Sequence, residues 1–314
     1  MSKMLNISSS PHVRDDSSTA EIMRDVALAM LPTTVYGVIQ WGVHAALVVL
    51  LTTAAAVLAE YIYERCMKLP ITVGDFSAVV TGMILALNCP PDIPLWMPVL
   101  GACFAIIVVK MLYGGLGCNF MNPALAARCF LLISFAGAMT GFTEPAGDAV
   151  ASATPLAMLK AGTASPDLLA MLIGRIPGTI GEVSKISLLL GAGYLLLRKV
   201  ISPKIPLIYI ATVAVFTVFF GGHGFDPAYL GAELLGGGLI FGAFFMATDY
   251  VTSPITPNGQ IVYAVILGLL TGLFRLFGGS AEGVSYAIIL SNILVPALNQ
   301  LTVPRALGRE GAKA

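Results

Sequence analysis

Apolar residues run along this chain in long stretches, separated by short polar or Gly- and Pro-rich interruptions. Runs long enough to enter or cross a bilayer lie near 22–40, 43–63, 74–89, 93–112, 122–140, 183–199, 205–221, 229–247, 259–277 and 283–303. Uninterrupted apolar lengths of this kind predict membrane helices. Only Gly42 separates the first two runs, and the third stops at the Pro-rich stretch Asn88-Cys89-Pro90-Pro91-Asp92-Ile93-Pro94, so it is expected to enter the membrane without fully crossing. The pattern predicts an all-α polytopic membrane protein of about ten transmembrane helices. Its parts are a tail over 1–21, a five-helix unit over 22–140, a loop over 141–182, a second five-helix unit over 183–303 and a tail over 304–314.

The two units repeat weakly. With an offset near 164, Gly114-Gly115 falls on Gly278-Gly279, Leu112 on Leu276, and Pro90-Pro91 close to Pro254. Each unit runs from a Gly-rich apolar segment through a Pro-rich break to a long helix, a Gly-Gly pair and another helix. An odd number of helices per unit turns the second copy upside down, which is the inverted-repeat plan of transporters and channels. Interrupted helices expose backbone groups that tolerate polar ligands, so a buried site is expected between the breaks at 88–94 and 252–259.

Composition fixes the class. Of 314 residues, 57% are hydrophobic and 11% charged, with a mean hydropathy of +0.88, too few charges to cover a soluble fold of this length. The net charge is zero, and no basic run points to nucleic acid. The first 20 residues are polar with no apolar centre, so no cleavable signal is expected there.

Charge placement sets the orientation. Ten crossings with a cytoplasmic N-terminus put thirteen of the 17 Lys and Arg residues inside, leaving Lys160, Arg175, Lys185 and Arg275 outside. Both termini are therefore expected in the cytoplasm, and the 141–182 loop outside. Asp75, Asp92, Glu233, Asp249, Glu282, Lys110, Arg128 and Arg275 lie in or beside apolar runs, where a charge is costly unless paired or functional. For Lys110 and Arg275 the favoured reading is a helix-end charge that reaches water; for Asp249 the adjoining break favours a site.

Chemical motifs are sparse. Cys66, Cys89, Cys103, Cys118 and Cys129 form no CxxC pair, and the three histidines are scattered, so neither a disulfide framework nor a metal site is expected. No P-loop or nucleophile elbow is present, and no catalytic side chain is assigned. The run Ser152-Ala153-Thr154-Pro155 reads alone as a turn or a helix start, since Thr caps and Pro suits the first helical position.

Seven blocks in order change that reading: "SPHVRDD", "IMRDVALAMLP", "GDFSAVVTGMILALNCPPDIPLW", "GGLGCNFMNPALAARCFLL", "SATPLAMLK", "FMATDYVTSPITPNG" and "EGVSYAIILSNILVPAL". Together they resemble RnfD, a membrane component of the Rnf complex, which is an ion-pumping ferredoxin:NAD oxidoreductase. That family is shared with NqrB of the sodium-pumping NADH:quinone oxidoreductase. The resemblance covers roughly residues 10–303. It implies FMN joined through its phosphate to Thr154, within a flavinylation motif formed by Asp148, Ser152 and Ala153 and installed by a flavin transferase acting outside the cytoplasm. Ala151 departs from that motif, standing where Ser or Thr is common. The resemblance also implies a non-covalent riboflavin, placed between the two Pro-rich breaks with Asp249 and Asn119 or Asn122 as polar contacts. Asn122 reads equally well as the cap of a helix that begins at Pro123. The implied role is electron transfer coupled to Na+ or H+ translocation in the cell inner membrane, beside a second flavinylated subunit and iron–sulfur subunits. A solute channel or transporter of the same plan is the alternative reading, and a structural scaffold a third.

Overall fold

The computed structural model describes residues 18–143, 151–152, 154–162, 167–182, 184–278 and 283–304. Helix α1 (Thr19–Cys66) opens on a capping box, in which Ser18 accepts from Glu21 N and the Glu21 side chain accepts from Ser18 N. The two apolar runs predicted over 22–63 are thus one 48-residue element, broken at Gly42, whose φ of 75° and ψ of −158° lie outside the helical region. A Cβ at Gly42 would meet nothing within 4 Å, so backbone conformation and not crowding selects glycine there.

A 3-10 turn (Val73–Asp75) leads into α2 (Ser77–Leu87), where the Asp75 carboxylate accepts from Ser77 N at 2.8 Å. The run predicted over 74–89 therefore holds a helix of only 11 residues. Helix α3 (Trp96–Cys103) continues through a π-helical stretch (Phe104–Lys110) and a 3-10 turn to Gly114. It is followed by α4 (Pro123–Ser134) and α5 (Ala136–Thr140).

The 141–182 segment is more than a loop. Strand β1 (Phe142–Thr143) pairs antiparallel with β2 (Ala151–Ser152), followed by α6 (Pro155–Ala161) and α7 (Leu168–Ile173). The second half comprises α8 (Lys185–Leu197), α9 (Lys204–Phe220), α10 (Pro227–Leu235), α11 (Leu239–Phe241) with a π-helical extension to Met246, α12 (Pro257–Phe277) and α13 (Val284–Leu301). The run predicted over 229–247 is bent by 59° at Gly236–Gly238.

Among the described residues four helical stretches are long and apolar enough to cross a membrane, or five if the bent pair counts as one. Ile39, Leu197, Phe219 and Phe277 stand exposed, as expected of a surface that meets lipid. The protein is a multi-pass α-helical membrane protein. Its helices approach closely at small residues: a Cβ at Gly82 of α2 would lie 2.7 Å from Thr53 Cα, and one at Gly268 of α12 would lie 2.4 Å from Thr212 Cβ of α9. Where lipid is as apolar as the side chains, such backbone contact is a main source of helix association.

The hydrogen bonds sort the element ends into two groups. At one end, Gln40 donates to Gly174 O at 2.6 Å, Ile180 N donates to Cys89 O at 3.0 Å, and Lys160 donates to Arg275 O at 2.9 Å. At the other, Arg198 pairs with Asp25 at 3.1 Å, Tyr250 donates to Val200 O, and the Thr256 and Thr302 hydroxyls meet.

Candidate functional site

Thr154 is the N-cap of α6. Its extended backbone (φ −61°, ψ 151°) lets Oγ1 accept from Ala157 N at 3.3 Å, with Pro155 in the first helical position. The residue is only 8% exposed. Of the turn or helix start that the run Ser152–Pro155 offers, the helix start is the one that forms, and capping folds the hydroxyl in toward the backbone N–H groups.

Thr154 lines a small cleft together with Pro177, Gly178, Glu182, Lys185 and Gly237. Lys185, the first residue of α8, is buried, and its ammonium donates to Glu182 O and, at 3.0 Å, to Gly237 O. The Glu182 carboxylate lies 3.6 Å from Arg128 of α4, whose Nη1 donates to Ser285 of α13 at 2.6 Å. The cleft beside Thr154 therefore adjoins a polar knot joining both halves of the chain. Of the remaining motif residues, Ser152 lies in β2 opposite Phe142, while Asp148 and Ala153 fall outside the described residues. Lys185 was not singled out in the sequence. Its signal was weak but present, as one of only four basic residues assigned to the outer side.

A second, larger cavity lies at the opposite end. It brings together the three residues proposed from sequence, Asn119, Asn122 and Asp249, and adds Ser77, Thr81, Lys110 and Thr248. Its apolar walls include Ile84, Phe244 and Phe245. Asn122 does cap α4, accepting from Ala124 N at 3.1 Å and Leu125 N at 3.3 Å, and it lines the cavity as well. Asn119 donates to Met121 O at 3.1 Å. Asp249 accepts from Val251 N at 3.4 Å and from the Thr252 hydroxyl at 3.1 Å. Burial pushes its carboxyl above the usual range, with those two hydrogen bonds opposing the rise.

The cavity does not lie between the two Pro-rich breaks. Residues 248–251 line it, but the 88–94 break sits at the Thr154 end, where Leu87 O and Cys89 O accept from Gly181 N and Ile180 N. The 21 residues of α12 run from the 252–257 break to Gly278, which accepts from Lys160. At 1.5 Å per residue that is roughly 30 Å. The two breaks therefore lie at opposite ends of the helical body and do not face each other.

Lys110 and Arg275 are not helix-end charges reaching water. Lys110 is buried, donating to both Glu60 oxygens at 2.8 and 2.9 Å and to Ser77 Oγ at 2.6 Å. Arg275 is buried against Glu233 at 3.4 Å and donates to Glu233 O and, at 2.9 Å, to Gly236 O, holding the α10–α11 bend. Burial of an ion is costly without a partner, and each has found one on another helix. Glu60 escaped notice because no Pro or Gly break flags it. The available signal was its recurrence four residues later as Glu64, two acids on one face of an apolar helix.

Residues 6–308 match the family model described as "NQR2, RnfD, RnfE family". The D subunit of a Na(+)-translocating ferredoxin:NAD(+) oxidoreductase complex from Acetobacterium woodii is 45% identical over 309 residues, spanning 97% of this chain and 95% of that one. The D subunit of a proton-translocating ferredoxin:NAD(+) oxidoreductase complex from Clostridium ljungdahlii is 43% identical, over 97% of this chain and 96% of its own length. Its counterpart in an ion-translocating oxidoreductase complex from Actinobacillus succinogenes is 33% identical, over 97% and 98%.

Proposed function

The chain belongs to the NQR2, RnfD, RnfE family, and we propose that it is the membrane flavoprotein subunit of a redox-driven ion pump of the ferredoxin:NAD+ oxidoreductase type. FMN is joined through its phosphate to Thr154. The observation that carries this reading is a match over nearly the whole chain that includes Thr154, a hydroxyl at the rim of a cleft with a buried ammonium in it. A flavin accepts and releases electrons singly or in pairs, linking iron–sulfur carriers to other flavoproteins. The chain's own part is to hold that group at the end of the helical body where α6 lies. It acts beside other subunits, among them a second flavinylated subunit and iron–sulfur subunits, after a flavin transferase has matured it.

Ten passes in two inverted five-helix units fit the observed element ends. Counting α1 as two passes at Gly42, and α10 with α11 as one, successive elements alternate between the two ends, with both described termini at the end away from Thr154. That end carries Arg65, Lys68, Lys199 and Lys204 and is assigned to the cytoplasm of the cell inner membrane. The two similar relatives named for Na+ and for H+ differ by two points of identity, so the ion carried is Na+ or H+. A non-covalent riboflavin is assigned to the neighbourhood of Asn119, Asn122 and Asp249, which offer polar contacts beside the apolar side chains Ile84, Phe244 and Phe245.

A denaturing gel of the subunit, produced with its transferase, tests the covalent assignment. A fluorescent flavin band that disappears in Thr154→Ala supports it. A colourless wild-type band would favour a channel or transporter without a redox role.

A further inference from the structure

We infer that the cleft between α6, α9, α10 and α12 seats the phosphate of a membrane phospholipid. The inference goes beyond the flavin on Thr154 and does not rest on it. Lys160 of α6, His223 after α9, Tyr229 and Glu233 of α10, and Arg275 and Phe277 of α12 line this cleft. Helices α9 and α12 both end there, at Phe220 and Phe277, and the two rings are exposed. In a multi-pass protein such helix ends are where the hydrocarbon core gives way to headgroups, so a polar cleft beside exposed apolar rings matches both parts of one lipid.

The polar groups select an anion. Lys160 is exposed, and its ammonium donates to Arg275 O at 2.9 Å and to Gly278 O. An ammonium has three protons, so one is left for a ligand. Arg275 is buried, with its Nη atoms donating to Glu233 and Gly236, while its Nε is buried and has no hydrogen-bond partner. A buried donor left in that state is costly, and an acceptor oxygen entering beside Arg275 satisfies it. Among the described lining residues Glu233 is the one carboxylate, and Arg275 lies 3.4 Å from it. Lys160 and Arg275 against Glu233 leave one positive charge, which matches the single negative charge of a phosphodiester. His223, its ring 4.3 Å from that of Tyr229, adds a ring N–H. A soluble phosphate would use the same donors, but the exposed rings of Phe220 and Phe277 favour the acylated form.

The test uses the full chain, freed of co-purified lipid in a phosphate-free detergent. Phosphatidylglycerol, diacylglycerol, glycerophosphoglycerol and inorganic phosphate are each titrated by native mass spectrometry. In parallel an amine-acylating reagent labels the lysines, and peptide masses report the rate at Lys160. The expected result is that phosphatidylglycerol binds and slows acylation of Lys160 more than that of Lys204, while the other three protect Lys160 far less. Lys160→Met should weaken phosphatidylglycerol binding about tenfold and leave diacylglycerol unaffected, and Lys160→Arg should restore most of the loss. Equal protection by diacylglycerol would make the cleft an apolar groove and overturn the inference. Equal protection by glycerophosphoglycerol or inorganic phosphate would make it a site for soluble phosphate and overturn the lipid. Phosphatidylglycerol that binds without protecting Lys160 overturns it too. If Lys160→Met disturbs the end of α12, the wild-type acylation rates still decide.

Discussion

Thr154 shows what a single residue carries and what it leaves open. Its hydroxyl is the only part of the side chain the proposed linkage needs, so Thr154→Ser should give partial flavinylation: serine keeps the oxygen but loses the methyl group that restricts χ1. Fluorescence per mole of protein measures this; full occupancy in Thr154→Ala would move the acceptor elsewhere. Lys110 makes a different demand. With Glu60 and Lys110 both buried, Lys110→Met strands a carboxylate and should cost about 3–5 kcal/mol, whereas Lys110→Met with Glu60→Gln should recover most of it. Thermal unfolding in detergent reads both, and equal losses in the single and double variants would refute the pairing. Thr154 was legible in the sequence as a helix cap before Pro155, its flavin role being implied only by the family resemblance, and Asn119, Asn122 and Asp249 do line one cavity. The Glu60–Lys110 pair was not legible, since partners 50 positions apart along the chain meet only through helix packing.

Among the elements, α1 is where local conformation rules. Gly42→Ala places a Cβ on a backbone that essentially only glycine adopts and should destabilise by about 1–3 kcal/mol. Gly74→Ala, which meets nothing within 4 Å and has no positive φ, should change little, and a matched pair of melting curves compares them. Gly268→Leu should cost more than either, because its Cβ already lies 2.4 Å from Thr212 Cβ, and α9 and α12 must separate to admit it. Most apolar runs found their helices. The bend at Gly236–Gly238 and the π-helical stretches at 104–110 and 242–246 left no mark in hydropathy, because they redistribute backbone hydrogen bonds without altering which residues are apolar. The helices and strand pair within 141–182 were likewise hidden, being too short for a periodic pattern.

On the proposed ten-pass reading the molecule is two units of opposite sense, with the Thr154 cleft near one end and the cavity beside Asp249 near the other. The topology follows directly: a reporter at residue 201 should read cytoplasmic and one inserted at 164 external. A cytoplasmic reading at 164 would remove the ten-pass arrangement and the transferase's access together. The two Pro-rich breaks were legible in the sequence, but they lie at opposite ends of the helical body and do not enclose a common site. On the proposed reading the two sites are separate, with Thr154 at one end of the helical body and the cavity beside Asp249 at the other. The most direct test of this account is the intact mass of the wild-type chain taken from its assembled complex, with the modified peptide located by fragmentation. The predicted result is a gain of one FMN less one water, carried by the peptide that contains Thr154. An unmodified mass, or a flavin on any other residue, would contradict it.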